Sequence, residues 1–240
     1  MASPVEISAA QIVLRGAFNP MFVNPDWLAA KELFPRSYID EAYEKETITV
    51  VSAKVTQFVL DWALFSVTQN RFVIEAQREP FEPLIDLMLA CIRHGRMSLI
   101  DMIGMNRTLH FTTGSEEKRD AFAESFAPRA FWNELLPVEY GEGGKKKRLK
   151  TGLLSLTMRH SSYDGERPDK YRGYLNIKVE PSYKIANEKF GVHLEINDHI
   201  EFTDTTGDTI AKAADAISAV WQDSFARSDV IMKSLIAKAA

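Results

Sequence analysis

The residues best placed to do chemistry lie in VHLEINDHIEF, residues 192–202. Read at strand period, His193, Glu195, Asn197, His199 and Glu201 share one face, and Val192, Leu194, Ile196, Ile200 and Phe202 share the other. Two histidines and two carboxylates on one face suit metal ligation or proton transfer. Spacing limits the options. His193 and His199 stand about 20 Å apart on a straight strand and cannot hold one ion together. His193 and Glu195, about 7 Å apart, can converge, with His160 or Glu180 as a third ligand from a neighbouring strand. The plainer expectation is that these groups solvate an open sheet face, or present it to a partner.

Neighbouring segments extend that face. LLSLTMRH sets Ser155, Thr157 and Arg159 opposite Leu154, Leu156 and Met158. GYLNIKVE sets Tyr174, Asn176, Lys178 and Glu180 opposite Leu175, Ile177 and Val179. Arg159, Asn176, Lys178, His193, Glu195, Asn197 and His199 are therefore the expected partner-binding face. Tyr174 is its one well-placed aromatic, too few for a platform that stacks single-stranded nucleic acid. The basic run Lys145, Lys146, Lys147, Arg148 and Lys150 is the alternative site, a phosphate-contact candidate in a glycine-rich loop. No Walker-type pattern surrounds it.

Catalytic signatures are poor. GxSxG, HExxH, DxD and GxGxxG do not occur. Cys91, the only cysteine, falls on the apolar stripe of a predicted helix and reads as a small core residue. In IGMNRTLHF, residues 103–111, Gly104, Asn106, Arg107 and His110 are read as structural, Gly104 allowing close backbone approach.

The elements that must position these residues follow from periodicity. Asn-Pro occurs at 19–20 and 24–25, which argues for turns in an extended N-terminal arm. Asp26 is the expected cap of a short helix ending before Pro35, and 37–46 supplies another helical turn or two. Residues 47–77 are rich in Val, Ile, Thr and Phe and read as two or three antiparallel strands, with a turn at Gln69-Asn70. Leu84, Leu87, Met88 and Cys91 recur at helical spacing and Gly95 follows as a stop. Residues 98–112 read as a strand, and a short helix opens at Ser115. Strands follow over 153–160, 173–180 and 191–203, and then a long helix from about Asp208 to Ala237.

The fold class is thus α+β: antiparallel sheets with helices covering one face, arranged as two related strand-strand-helix units. The expected division is an arm with short helices (1–46), a first unit (47–136), a basic linker (137–152) and a second unit (153–240). The 240 residues carry 45% hydrophobic and 26% charged side chains with a net charge of −4, so no global basic field recruits nucleic acid. One cysteine excludes an internal disulfide framework and a cysteine-based zinc site. No signal-peptide pattern opens the chain and no apolar run is long enough to span a bilayer, so a cytoplasmic protein without membrane contact is expected.

AFNPMFVNPDWL, FVLDWALFSVTQNRFVI, IGMNRTLHF and GYLNIKVEP…GVHLEINDH before a Trp-containing helix form a combination. It resembles an uncharacterised, sporadically distributed family of prokaryotic proteins of about this length. The resemblance spans most of the chain and supplies no catalytic residues. It implies mobile or defence-related gene neighbourhoods. The resulting expectation is a non-enzymatic binding or assembly subunit of a multi-protein system, acting through the polar face and the long helix with a protein partner or another copy of itself. No cofactor is expected. The alternatives are nucleic-acid binding through 145–150 and a metal-dependent enzyme built on His193 and Glu195.

Overall fold

A computed structural model describes residues 4–95, 97–128, 130, 139–140, 146–147, 153–161, 171–186, 190–202 and 208–239. The chain opens with β1 (Val5–Ala17), a 3-10 turn (Pro20–Phe22), α1 (Pro25–Ala30) and α2 (Arg36–Glu44). Four strands follow, β2 (Ile48–Val51), β3 (Val55–Leu60), β4 (Ala63–Thr68) and β5 (Arg71–Ala76), then α3 (Glu82–His94), β6 (Leu99–Thr112) and α4 (Glu116–Glu124). The second half holds a two-residue ladder of β7 (Glu139–Tyr140) with β8 (Lys146–Lys147), then β9 (Leu156–Ser161), β10 (Arg172–Pro181), β11 (Gly191–Glu201) and α5 (Thr209–Ala239). No helix among the described residues is long and apolar enough to cross a membrane.

Among the described residues, nine strands form one antiparallel sheet in the order β2-β3-β4-β5-β1-β6-β11-β10-β9. The mixture of helix with antiparallel sheet is the expected class. The N-terminal segment departs from the reading of an arm: it supplies β1, the strand between β5 and β6. The segment 47–77 yields four strands, because Ser52–Lys54 and Asp61-Trp62 turn the chain without a glycine.

Register explains the core. Ala10, Ile12 and Leu14 of β1 align with Ala76, Ile74 and Phe72 of β5 and with Arg107, Met105 and Ile103 of β6. The same rows continue to Ala63, Phe65 and Val67 in β4 and to Ile196, Asp198 and Ile200 in β11. This face packs on Leu28, Ile39, Leu84, Met88, Cys91, Ile217 and Trp221 of the helices. A second cluster, around Leu109, Phe111, Leu194 and Ile196, packs on Phe122 of α4 and Met232 of α5. Burial of such side chains is the main stabilising term, at about 25 cal/mol per Å² of apolar surface.

Local chemistry sets the helix ends. Asn24, rather than Asp26, caps α1: its side chain accepts from the Trp27 N–H at 2.9 Å, and Pro25 occupies the first helical position. Asp26 instead accepts from Arg36 and from the Tyr43 hydroxyl, both at 2.8 Å, tying α1 to α2. Ser115 caps α4 by accepting from the Lys118 N–H, and Asp208 caps α5 by accepting from the N–H groups of Ile210 and Ala211. The 31 residues of α5 span about 46 Å. Its buried positions run from Thr209 to Ala239, so its C-terminal end lies against the protein.

Among the described residues, two ion pairs fix α5 on the sheet, with opposite polarity. Asp198 of β11, 1% exposed, accepts from Arg227 of α5 at 2.5 Å. Arg107 of β6 donates to Asp229 of α5 at 3.2 Å. The Arg107 guanidinium lies between the rings of Phe81 and Phe225, 4.5 and 4.7 Å from their centroids, and also donates to Ser8 Oγ and the Ala9 carbonyl. Burial pushes its pKa down, and Asp229 opposes that shift.

Candidate functional site

The face opposite the core is polar, and its groups join into one layer. Cross-strand pairing places Gln11, Asn106, Asn197, Asn176 and Arg159 in a row through β1, β6, β11, β10 and β9. Gln11 donates to Glu75 at 3.2 Å and accepts from Asn106 at 3.0 Å. Asn106 in turn accepts from the Asn197 amide. At the other end Arg159 donates to Asn176 at 3.0 Å and lies over the Tyr174 ring, 3.7 Å from its centroid. The amide side chain suits this row because one group both donates and accepts.

A second row lies toward one end of the same face. The rings of His110 and His193 stack, with centroids 4.5 Å apart and planes 17° apart. His193 Nδ1 is 2.8 Å from Glu180, whose other oxygen is 2.8 Å from Lys178 Nζ. Burial alone would raise the Glu180 pKa, but the hydrogen bonds from Lys178 and His193 outweigh it and the net shift is down. A neutral His193 donates Nδ1–H to this carboxylate, which leaves Nε2 as an acceptor or ligand atom.

His110 takes the opposite tautomer. The Ser182 hydroxyl oxygen accepts from the backbone N–H groups of Lys184 and Ile185, so its hydrogen is donated to His110 Nδ1 at 2.8 Å. The ring hydrogen then sits on Nε2, a buried atom with no hydrogen-bond partner among the described residues. Burial, with smaller contributions from His193 and Lys184, pushes His110 down to about 4, which keeps it neutral at physiological pH. His199 stacks on Tyr174 at 4.3 Å and lies 3.3 Å from Glu201; burial lowers its pKa as well, against the pull of Glu201.

The seven residues singled out from the sequence share one face of the sheet. Arg159, Asn176, Lys178, His193, Glu195, Asn197 and His199 occupy consecutive rows of β9, β10 and β11. Glu195 faces Lys178 on one side and Thr108 on the other. Glu180, not Glu195, is the carboxylate that meets His193. His160 pairs with Leu175 in the register of the core face and so cannot join them. No group of three metal-ligating side chains occurs among the described residues. Of the basic run, Lys146 and Lys147 form β8, and Lys145, Arg148 and Lys150 lie outside the described residues.

Sequence reasoning did not bring in Gln11, and it read Asn106 and His110 only as structural. The signal for the latter pair was present: Gly104, Asn106, Thr108 and His110 alternate with Ile103, Met105, Arg107 and Leu109. Ser182 carries no comparable signal, because its place beside His110 depends on a turn 72 residues away. Burial also pushes the Cys91 thiol up, which fits its place in the core and not a nucleophile's role. The chain matches no known family model, and no curated protein is similar to it.

Proposed function

We propose that this protein is a binding or assembly subunit. Its contact surface is the polar face of the sheet, opposite the face on which the helices gather. The observation that carries this reading is the side-chain layer from Glu75 through Gln11, Asn106 and Asn197, continued by Asn176, Arg159 and Tyr174. Such a layer holds its donors, acceptors and rings in fixed positions over six strands. A rigid, partly desolvated polar surface suits recognition, since little conformational entropy is lost when a partner docks. The partner is a protein or a second copy of the chain.

The test is purification of the tagged protein at low salt, with mass spectrometry of what accompanies it. A triple variant, Arg159→Glu, Lys178→Glu and Glu195→Arg, reverses the rim charges. We expect a stoichiometric protein or a self-assembled form that the variant loses by at least about tenfold in affinity. A monomer that captures no protein in either form overturns the reading.

One observation favours a second reading. Glu180 orients His193 much as a carboxylate orients a metal-binding or general-base histidine. Under this reading a metal bound by His193 Nε2 or a proton moved by it serves a reaction. Metal analysis of the purified protein, repeated for His193→Gln, separates this reading from the first. A stoichiometric metal lost in that variant supports it.

A further inference from the structure

On the helical side of the sheet a groove runs between the α1–α2 corner, the tip of the β3–β4 hairpin and α3. Its volume is about 410 Å³, within the range of sites that accept small molecules. Phe34, Tyr38 and Trp62 form its aromatic wall. The Phe34 ring is buried and stands 5.9 Å from Trp62 and 6.2 Å from Tyr38, centroid to centroid. Tyr38 and Trp62 are only partly buried. Leu33, Pro35, Pro83, Leu87 and Ala90 complete the apolar surface, and three carboxylates, Glu32, Asp61 and Asp86, stand among them. Among the described residues, no lysine, arginine or histidine lines the groove. Arg78 pairs with Asp61, while Glu32 and Asp86 have no ion pair among the described residues.

The residue choices are unusual for the backbone positions. Asp61 and Trp62 make the two-residue turn between Leu60 and Ala63. Such turns favour Asn-Gly or Asp-Gly. Asp61 satisfies the first preference, with φ at +47°, but the second position holds the largest side chain instead of the smallest. Glu32, just after α1, also has a positive φ, +57°. Two non-glycine residues in the left-handed region thus line one groove, and each is a carboxylate. Strain held at a concave surface is a reason to look for function there.

We propose that this groove binds an organic ammonium ion with an apolar body. Electron-rich ring faces attract a cation, Trp most strongly. The two unpaired carboxylates add charge of the right sign, and the apolar floor accepts the ligand's hydrocarbon part. An anion meets repulsion from Glu32 and Asp86, and a neutral ligand gains only the apolar contact.

The full chain is titrated with benzyltrimethylammonium, benzyl alcohol and phenylmethanesulfonate, by calorimetry and by tryptophan fluorescence. We expect the cation to bind about tenfold or more tighter than the alcohol and the sulfonate not to bind. The exposed double change Glu32→Gln with Asp86→Asn weakens the cation about tenfold and leaves the alcohol unchanged. Trp62→Leu keeps an apolar side chain over Phe34 and selectively removes the cation preference. Should Trp62→Leu misfold, the carboxylate variant still decides the matter. Equal binding of cation and alcohol, no binding at millimolar concentration, or cation binding indifferent to the carboxylates overturns the proposal. In that case Trp62 is a cover for Phe34 and nothing more.

Discussion

Burial makes His110 a sensor of acid at the level of a single ring. In the folded chain it takes up no second proton until pH falls to about 4, while an exposed histidine in the unfolded chain takes one up near 6.5. Between those values the unfolded state binds more protons, so folding stability drops as pH falls through the window. One such group contributes a slope of at most ~1.4 kcal/mol per pH unit. His193, Glu180, Lys184 and Ser182 surround the ring, and His199 shifts in the same direction and adds to the loss. Urea unfolding at pH 7 and pH 5 measures it. We expect His110→Phe, which keeps a ring against His193, to be less stable at pH 7 yet to lose less between the two pH values. An unchanged pH dependence shows that His110 does not govern acid sensitivity.

At the scale of elements, two ion pairs, one joining α5 to β6 and one joining β1 to β6, separate buried from exposed electrostatics. The Arg107 side chain is 7% exposed, paired with Asp229 and enclosed by two phenyl rings. Removing one member of a fully buried pair costs about 3–5 kcal/mol, and the 36% exposure of Asp229 reduces that cost here. Arg15 pairs with Asp101 at a similar distance, 3.2 Å, but is 57% exposed. Such surface pairs contribute about 0–1 kcal/mol. We therefore expect Arg107→Ala to destabilise strongly and Arg15→Ala hardly at all, with thermal unfolding as the measure; equal effects contradict this account.

These pairs also show what the sequence could reveal. The helices α3 and α5 and the strands β6, β9, β10 and β11 were legible, because long stretches with one dominant period leave little choice. The polar face of β9–β11 followed from the same alternation. Asp198 was not singled out, although it falls on the apolar face, because its partner Arg227 lies 29 residues away on another element. The strand β1 was hidden for a related reason. Its sequence VEISAAQIVLRGA has only a short apolar core, and its role comes from two neighbours remote in the chain. The aromatic groove joins residues 32–38, 61–62 and 83–90, which no local pattern relates.

For the whole molecule, β1 joins the two sides of the sheet. It lies between β5 and β6, and β6 carries β11 and the remainder. Removing residues 1–17 uncovers both neighbours, separates their hydrogen-bond ladders and opens the larger apolar cluster at Ile12 and Leu14. We expect that truncated chain, and likewise the fragments 47–136 and 153–240 alone, to show no cooperative unfolding transition. The intact chain should unfold as one unit, followed by circular dichroism against urea. A fragment that melts cooperatively shows that its part of the sheet is self-sufficient.

The position of β1 also sets an order in time. It precedes both of its partners in the chain, and Val5 pairs with Phe111 and Ala17 with Leu99. Its earliest partner, β5, is complete only at Ala76. Until then its backbone groups and the side chains of Ile12 and Leu14 have no place in a sheet. Contacts so distant along the chain slow folding, since a long loop must close before they form. The nascent protein therefore carries an unpaired segment until β5 is made, and one paired on a single side until β6 ends at Thr112. During that interval chaperone capture competes with misassociation.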